Sequence, residues 1–271
     1  MSATDDQVVV ALTAYRNHIA AHNRRALEIY VPFAENSNPS DDMGLDDEEI
    51  AEARMDFMEH LVGDVRGQDG LETPRDVLSR YDELIPSLGL DGTLSLPESK
   101  EESIRKQDEF FSAIEDTLKA RSLEEVRDSI EFPRQLGALA KQVGGLSGAG
   151  LPGSQNVDRV PFWWGLSETQ EQYAARVKEP ADFKNIVGLS GWEIAGGWES
   201  GSGQDADCWV LYCRKSKTNP WGWRYAVDMR DMGLEIFDTV PELLRWYRSF
   251  REPDLSSIPE YNESDVFSGT I

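Results

Sequence analysis

Residues 221–230, WGWRYAVDMR, alternate in a strict period of two. Trp221, Trp223, Tyr225, Val227 and Met229 fall on one side, and Gly222, Arg224, Ala226, Asp228 and Arg230 on the other. Such a pattern predicts a strand with one face buried and the other wet. Just upstream, CWVLYC (Cys208–Cys213) is apolar on both faces, as an interior strand must be. In GWEIAGGW, the same period places Trp192, Ile194 and Trp198 together on one face of a further strand. There Gly196-Gly197 permits a bulge or a close backbone approach. The intervening ESGSGQDAD and RKSKTNP read as turns, which makes the three strands an antiparallel meander. A short strand, LEIF, then precedes Thr239-x-x-Glu242, a capping box that opens the helix PELLRWYRSF.

The first half of the chain has a different period. All eight tryptophans lie between Trp163 and Trp246. Thr4-x-x-Gln7 predicts the start of a helix whose apolar stripe is Leu12, Tyr15, Ile19 and Leu27. A loop is expected over 32–44, because Pro32 and Pro39 fall in a polar stretch. Asp46 opens a second helix carrying Ile50, Ala53, Phe57, Leu61 and Val65. Thr73-Pro74 supplies an N-cap followed by proline at the first helical position. Ser99-x-x-Glu102 caps a helix with Ile104, Phe111, Ile114 and Leu118 inward, and 89–98 reads as a loop. Ser122-x-x-Glu125 and Ser167-x-x-Gln170 cap shorter helices. Between them a proline-led helix should stop at Gly144-Gly145, which would supply a left-handed cap. The fold class is therefore α+β: a largely antiparallel sheet packed by helices, preceded by an α-helical region. Three segments follow: an acidic helical region over 1–121, an α+β domain over 122–251 and a loosely ordered polar tail over 252–271.

Fifty acidic residues against 27 basic ones give a net charge of −23. Nucleic acid needs a basic footprint and an anionic membrane would repel this charge, so neither is an expected partner. A basic protein partner is electrostatically plausible. No run approaches the ~20 apolar residues of a membrane span, and MSATDDQVVV does not read as a signal peptide. Cys208 and Cys213 sit five residues apart on one strand, roughly 17 Å and on opposite faces, too far to bridge or to share a metal. Buried free thiols point to a reducing compartment, and the chain is expected to be cytoplasmic.

No catalytic signature emerges. His18 and His22 have helical i, i+4 spacing, but His60 is the only other histidine and zinc needs three or four ligands. No G-x-S-x-G occurs, and GGLSGAGLPG lacks the lysine of a phosphate loop. Asp205-Ala-Asp207 has the two-acid spacing of metal-dependent sugar transferases without their nucleotide-binding context. No metal, cofactor or catalytic residue is expected. The tryptophans sit at alternating positions beside apolar neighbours, so Trp192, Trp209 and Trp223 are expected in the core. Trp198 and Trp221, read as strand ends, are expected to be less enclosed. Trp163 and Trp164 follow Pro161, and in an extended segment neighbours point to opposite sides. One of the two is then an exposed indole fit to anchor an interface.

The order of pieces over 122–251 resembles the SUKH superfamily, which includes a yeast regulator of cell-wall synthesis and many bacterial toxin-immunity proteins. SLEEVRDSIEFPRQLGALAKQVGG is similar to that family's opening helix, proline-led second helix and terminal Gly-Gly. GWEIAGG and CWVLYCR are similar to its central strands, and LEIFDTVPELLRWY to its closing strand and final helix. The resemblance implies a protein-binding domain without catalysis. The expected site is then Trp163, Trp164 and Trp198 as partner-binding anchors, with Asp205 and Asp207 setting charge preference. Two alternatives stand beside it: an immunity-type protein neutralising a basic toxin or effector, and a Trp-lined cleft that binds or hydrolyses a carbohydrate or small ligand.

Overall fold

A computed structural model describes residues 3–96, 100–153, 162–163, 169–203, 206–229 and 232–268. The fold is α+β. The chain divides into two compact units. One comprises 1–14, 94–147 and 158–247, the other 15–93, 148–157 and 248–271. This division differs from the segments expected from the sequence, since residues 100–121 belong with the sheet and 252–268 with the N-terminal helices.

The first unit holds a five-stranded antiparallel sheet of consecutive strands, β1 (Val177–Lys178), β2 (Glu193–Ser202), β3 (Ala206–Arg214), β4 (Gly222–Met229) and β5 (Gly233–Phe237). The alternation at 221–230 is realised, because Tyr225, Val227 and Met229 are buried on one face. In β2 the register slips between Ile194 and Gly196. Ile194 lies opposite Cys213, yet Trp198 lies opposite Val210. The one-residue bulge therefore puts Ile194 and Trp198 on opposite faces, where a regular period of two places them together.

That slip organises the core. Trp198 is 1% exposed, and β2 runs on to Ser202, so the indole is mid-strand and not at a strand end. It belongs to a file of rings. Phe111 stacks on Phe132 at 4.0 Å, Phe132 on Trp198 at 5.7 Å, and Trp198 meets Trp223 edge-on at 5.5 Å. Trp223 continues to Tyr212 at 5.0 Å and Tyr212 to Trp221 at 6.1 Å. Helix α5 (Lys100–Arg121) supplies Phe111 to this file and lays Ser103, Gln107, Phe110, Ile114 and Leu118 inward. Ile114 and Leu118 are buried as expected, while in the first half of the helix Ser103 and Phe110 are buried one residue ahead of Ile104 and Phe111, and Ile104 is exposed. Gln107 Nε2 donates to the Ala140 carbonyl, which satisfies its buried amide.

Other local expectations resolve in detail. Residues 124–129 form a 3-10 helix in place of an α-helix. Helix α6 (Arg134–Ala140) ends before the glycines. Gly144 serves close approach there and not a left-handed cap: a Cβ on it would lie 2.4 Å from the Ser95 carbonyl oxygen. Helix α7 (Gln170–Arg176) is capped by Thr169 with Gln172. Ser99 and Ser167, the expected caps, lie outside the described residues. Helix α8 (Val240–Tyr247) has its expected box, since Glu242 N–H donates to Thr239 Oγ1 and Thr239 N–H to Glu242 Oε2.

The second unit is helical. Helix α1 (Ala3–Asn36), of which residues 15–36 belong to this unit, passes through Pro32, four residues beyond the expected loop start, because Tyr30, Val31 and Ala34 are buried and reward continuation. Helix α2 (Asp47–Val62) starts on the Asp46–Glu49 capping box. After the Thr73 cap the chain bends at Arg80 between α3 (Pro74–Ser79) and α4 (Tyr81–Leu88). Within this unit, Tyr81 Oη donates to the Ala20 carbonyl and Asn23 Nδ2 to that of Leu90. The tail is ordered where a loose one was expected: Val266 and Phe267 are buried with Phe57 and Leu61, and Tyr261 packs edge-on to Phe57 at 5.3 Å.

The two cysteines occupy opposite faces of β3, and both are free and buried. Burial pushes the Cys213 thiol up to about 12 and raises that of Cys208 as well. At pH 8 a thiol of that pKa is about one part in ten thousand thiolate. Neither thiol of the native protein should react with Ellman's reagent over minutes, and both should react in denaturant. Rapid labelling of the native protein would contradict this packing.

Candidate apolar groove beside the central sheet

The binding residues expected from the sequence are three tryptophans and two aspartates of one acidic loop. Trp164 and Asp205 lie outside the described residues. Trp163 is described only as backbone, in a two-residue strand antiparallel to Gly145–Leu146. Trp198 is enclosed and cannot anchor a partner from the surface, for the reason given by the bulge. Asp207 stands in β3 directly across from Asp228 of β4 and across from Ser202 of β2. Of the five, Trp198 and Asp207 alone have described side chains, and only Asp207 is partly open to the surface.

The sheet-bearing unit also has a groove. Phe183, Ile186, Leu189, Trp192 and Ile194 line this groove of about 490 Å³ together with Leu123 and Pro180. Its outer wall is made by two 3-10 segments, Asp182–Asn185 and Val187–Leu189. Ile186 joins them with an extended backbone (φ −81°, ψ 108°), and Phe183, Ile186 and Leu189 pack into one cluster. That i, i+3, i+6 spacing was the readable signal for the groove. The segment between Lys178 and Trp192 is too short and polar elsewhere to stand out as a helix or strand. Beneath the groove Phe183, Leu189 and Ile194 are buried in a core with Leu211, Cys213 and Ala226 on the sheet face opposite Trp198, and Trp209 and Ile236 pack against that core. Trp209 meets Phe183 edge-on at 5.6 Å. The indole pair of the β2 segment is thus divided, with Trp192 lining the groove and Trp198 filling the core on the other side.

The groove has little ionisable chemistry. Lys184 and Glu193 line it. Glu193 is committed: its Oε2 lies 2.7 Å from Arg214 Nε and 2.6 Å from Arg214 Nη2. Arg214 also reaches Glu125 at 3.4 Å and lies over the Trp221 ring at 4.3 Å. A volume of this size suits a small ligand or a large side chain, but one engaged carboxylate is not the pair that glycoside hydrolysis needs. A second depression, lined by Ile236, Phe237, Asp238, Glu242, Arg245 and Trp246, does bring two acids near an indole. Both have structural work there. Glu242 caps α8, and Asp238 Oδ1 is 2.6 Å from Arg224 Nε.

The histidines belong to the helical unit. His18 Nε2 lies 2.5 Å from Glu252 Oε2, and His22 Nδ1 lies 3.6 Å from Glu252 Oε1. His60 instead faces the Tyr261 hydroxyl at 3.2 Å, and desolvation lowers its pKa. Among the described residues no group of three or more His, Cys, Asp or Glu side chains is arranged to hold a metal, and no helix is long and apolar enough to cross a membrane. No family model, curated protein or solved structure matches the chain.

Proposed function

We propose that the chain is a non-enzymatic protein-interaction module of the SUKH type that works in the cytoplasm by surface complementarity. The observation that carries this reading is the apolar groove, whose one carboxylate is already held by Arg214. Apolar side chains around an indole, with charge kept to the rim, are what the centre of a protein interface requires. The order of segments over 122–251, which prompted the SUKH resemblance, supports the same reading. Buried free thiols support a reducing compartment.

The test is affinity purification from the native cell with mass spectrometry, comparing the wild type with Trp192→Ala and Leu123→Asp. Leu123 is 37% exposed, so its replacement leaves the core alone. Specific partners should fall at least about tenfold in both variants, a loss of ~1.4 kcal/mol. Recovery of the same proteins in the same yield from all three baits would remove the groove from the interface.

A further inference from the structure

The groove beside the sheet is apolar within and acidic around its edge. Among its lining residues and their immediate chain neighbours, the charged side chains are Glu124, Glu179, Asp182, Lys184 and Glu193. Four acids thus stand against one cation. Arg214 does not reverse this balance, because Glu193 and Glu125 share it. Glu124 beside Leu123, Glu179 beside Pro180 and Asp182 beside Phe183 are all exposed. None of these three has an ion-pair partner among the described residues. The Asp182 carboxylate accepts the Glu179 N–H, a bond that leaves its charge in place. Two residues out along the chain stand Arg121, Glu125 and Lys178. Arg121 is turned to the Ala174 and Val177 carbonyls, and acids remain the majority.

Screening decides which charges a docked segment feels. At about 0.15 M salt the Debye length is about 8 Å, so a segment seated in the groove responds chiefly to the charges at its edge. Here the edge and the net −23 of the whole chain have the same sign, so approach and seating select the same partner. Resting on the reading of the groove as the partner site, we propose that it takes a basic segment of a partner protein. One large aliphatic or aromatic side chain fills the groove beside Trp192, and flanking lysines or arginines lie toward Glu124, Glu179 and Asp182. Lysine and arginine suit such a surface twice over. Their methylene stems cover apolar walls while their charged ends stay in water beside the carboxylates. An acidic segment or a nucleic acid would meet the same carboxylates as repulsion.

The experiment titrates the full chain against labelled peptides with a central Leu or Phe flanked by Lys/Arg, by Ser or by Asp/Glu. The basic peptide should bind at least about tenfold more tightly than the acidic one, with a preference that shrinks as salt rises. The double variant Glu124→Lys/Glu179→Lys changes two exposed side chains and should abolish or reverse that preference. Lys184→Glu should widen it. Trp192→Ala and Leu123→Ser change no charge and should weaken the basic and neutral peptides alike. Binding that these two variants weaken but that shows no preference for basic flanks would overturn the basic-segment proposal and leave the groove as the partner site. A preference for basic flanks that Glu124→Lys/Glu179→Lys leaves intact would overturn it too, by placing the contact elsewhere on the acidic surface. Binding that none of the variants alters would overturn the proposal and the reading of the groove together. The absence of any peptide binding would overturn the proposal, and a dimer that Leu123→Ser dissociates would replace the basic segment by a second copy of the chain.

Discussion

Trp198→Ala should destabilise the sheet-bearing unit by about 3–5 kcal/mol, the range for emptying a large aromatic site in a packed core. For a unit of this size that lowers the unfolding midpoint by about 6–20 °C. The ring is 1% exposed, touches Phe132 and Trp223 and lies opposite Val210. No side chain nearby is positioned to collapse into the space without leaving its own place in the file. Trp221→Ala is the comparison: that ring is half-buried at the end of the file, under Arg214, and its loss should cost no more than about half as much. Calorimetry on both variants decides the matter. A change below about 1 kcal/mol for Trp198→Ala would mean that the ring does not fill the core.

The second large effect falls on its neighbour. A Cβ at Gly197 would sit 2.5 Å from the Val210 carbonyl oxygen and 3.2 Å from the Leu211 Cα, both backbone atoms of β3. Backbone within a paired sheet has nowhere to move, so Gly197→Ala should cost about 2–3 kcal/mol, the upper part of the overpacking range. The same substitution at Gly137 should have the opposite sign. That glycine lies inside α6 with its nearest new neighbours at 4.0 Å, and alanine there gains about 0.5–1 kcal/mol of helix propensity. Denaturant titration of the two alanine variants should move their midpoints in opposite directions. A shared direction would count against the close strand approach at Gly197.

These two residues also show what could be read from the amino-acid order and what could not. The strands of the meander were legible because alternation at 221–230 and the apolar run at 208–213 report burial directly. The Thr239–Glu242 cap was legible because its chemistry is local. The side of the sheet taken by Trp198 was not, because it depends on whether one backbone step between Ile194 and Gly196 is paired or skipped. Two adjacent glycines permit either outcome. Pro32 carried a strong local signal for a break, which the burial of Tyr30, Val31 and Ala34 overrode. The tail at 252–268 looked polar because its five apolar residues, Leu255, Ile258, Tyr261, Val266 and Phe267, are scattered among acidic and hydroxyl side chains. The groove residues were missed for a related reason: a three-residue period across two short segments has too few repeats to be noticed beside eight tryptophans.

The skipped pairing step in β2 acts as a change of parity. Upstream of it, odd and even positions serve one assignment of inside and outside; from Gly196 to Glu199, before a second shift, they serve the reverse. One strand can thereby furnish an indole to each layer of the molecule, Trp192 where another protein can reach it and Trp198 where none can. Shortening the chain by one residue at Ala195 would restore uniform parity, turning the second indole toward the opening and leaving a void at the centre of the ring file. Length at this point therefore matters more than the identity of the residue that supplies it.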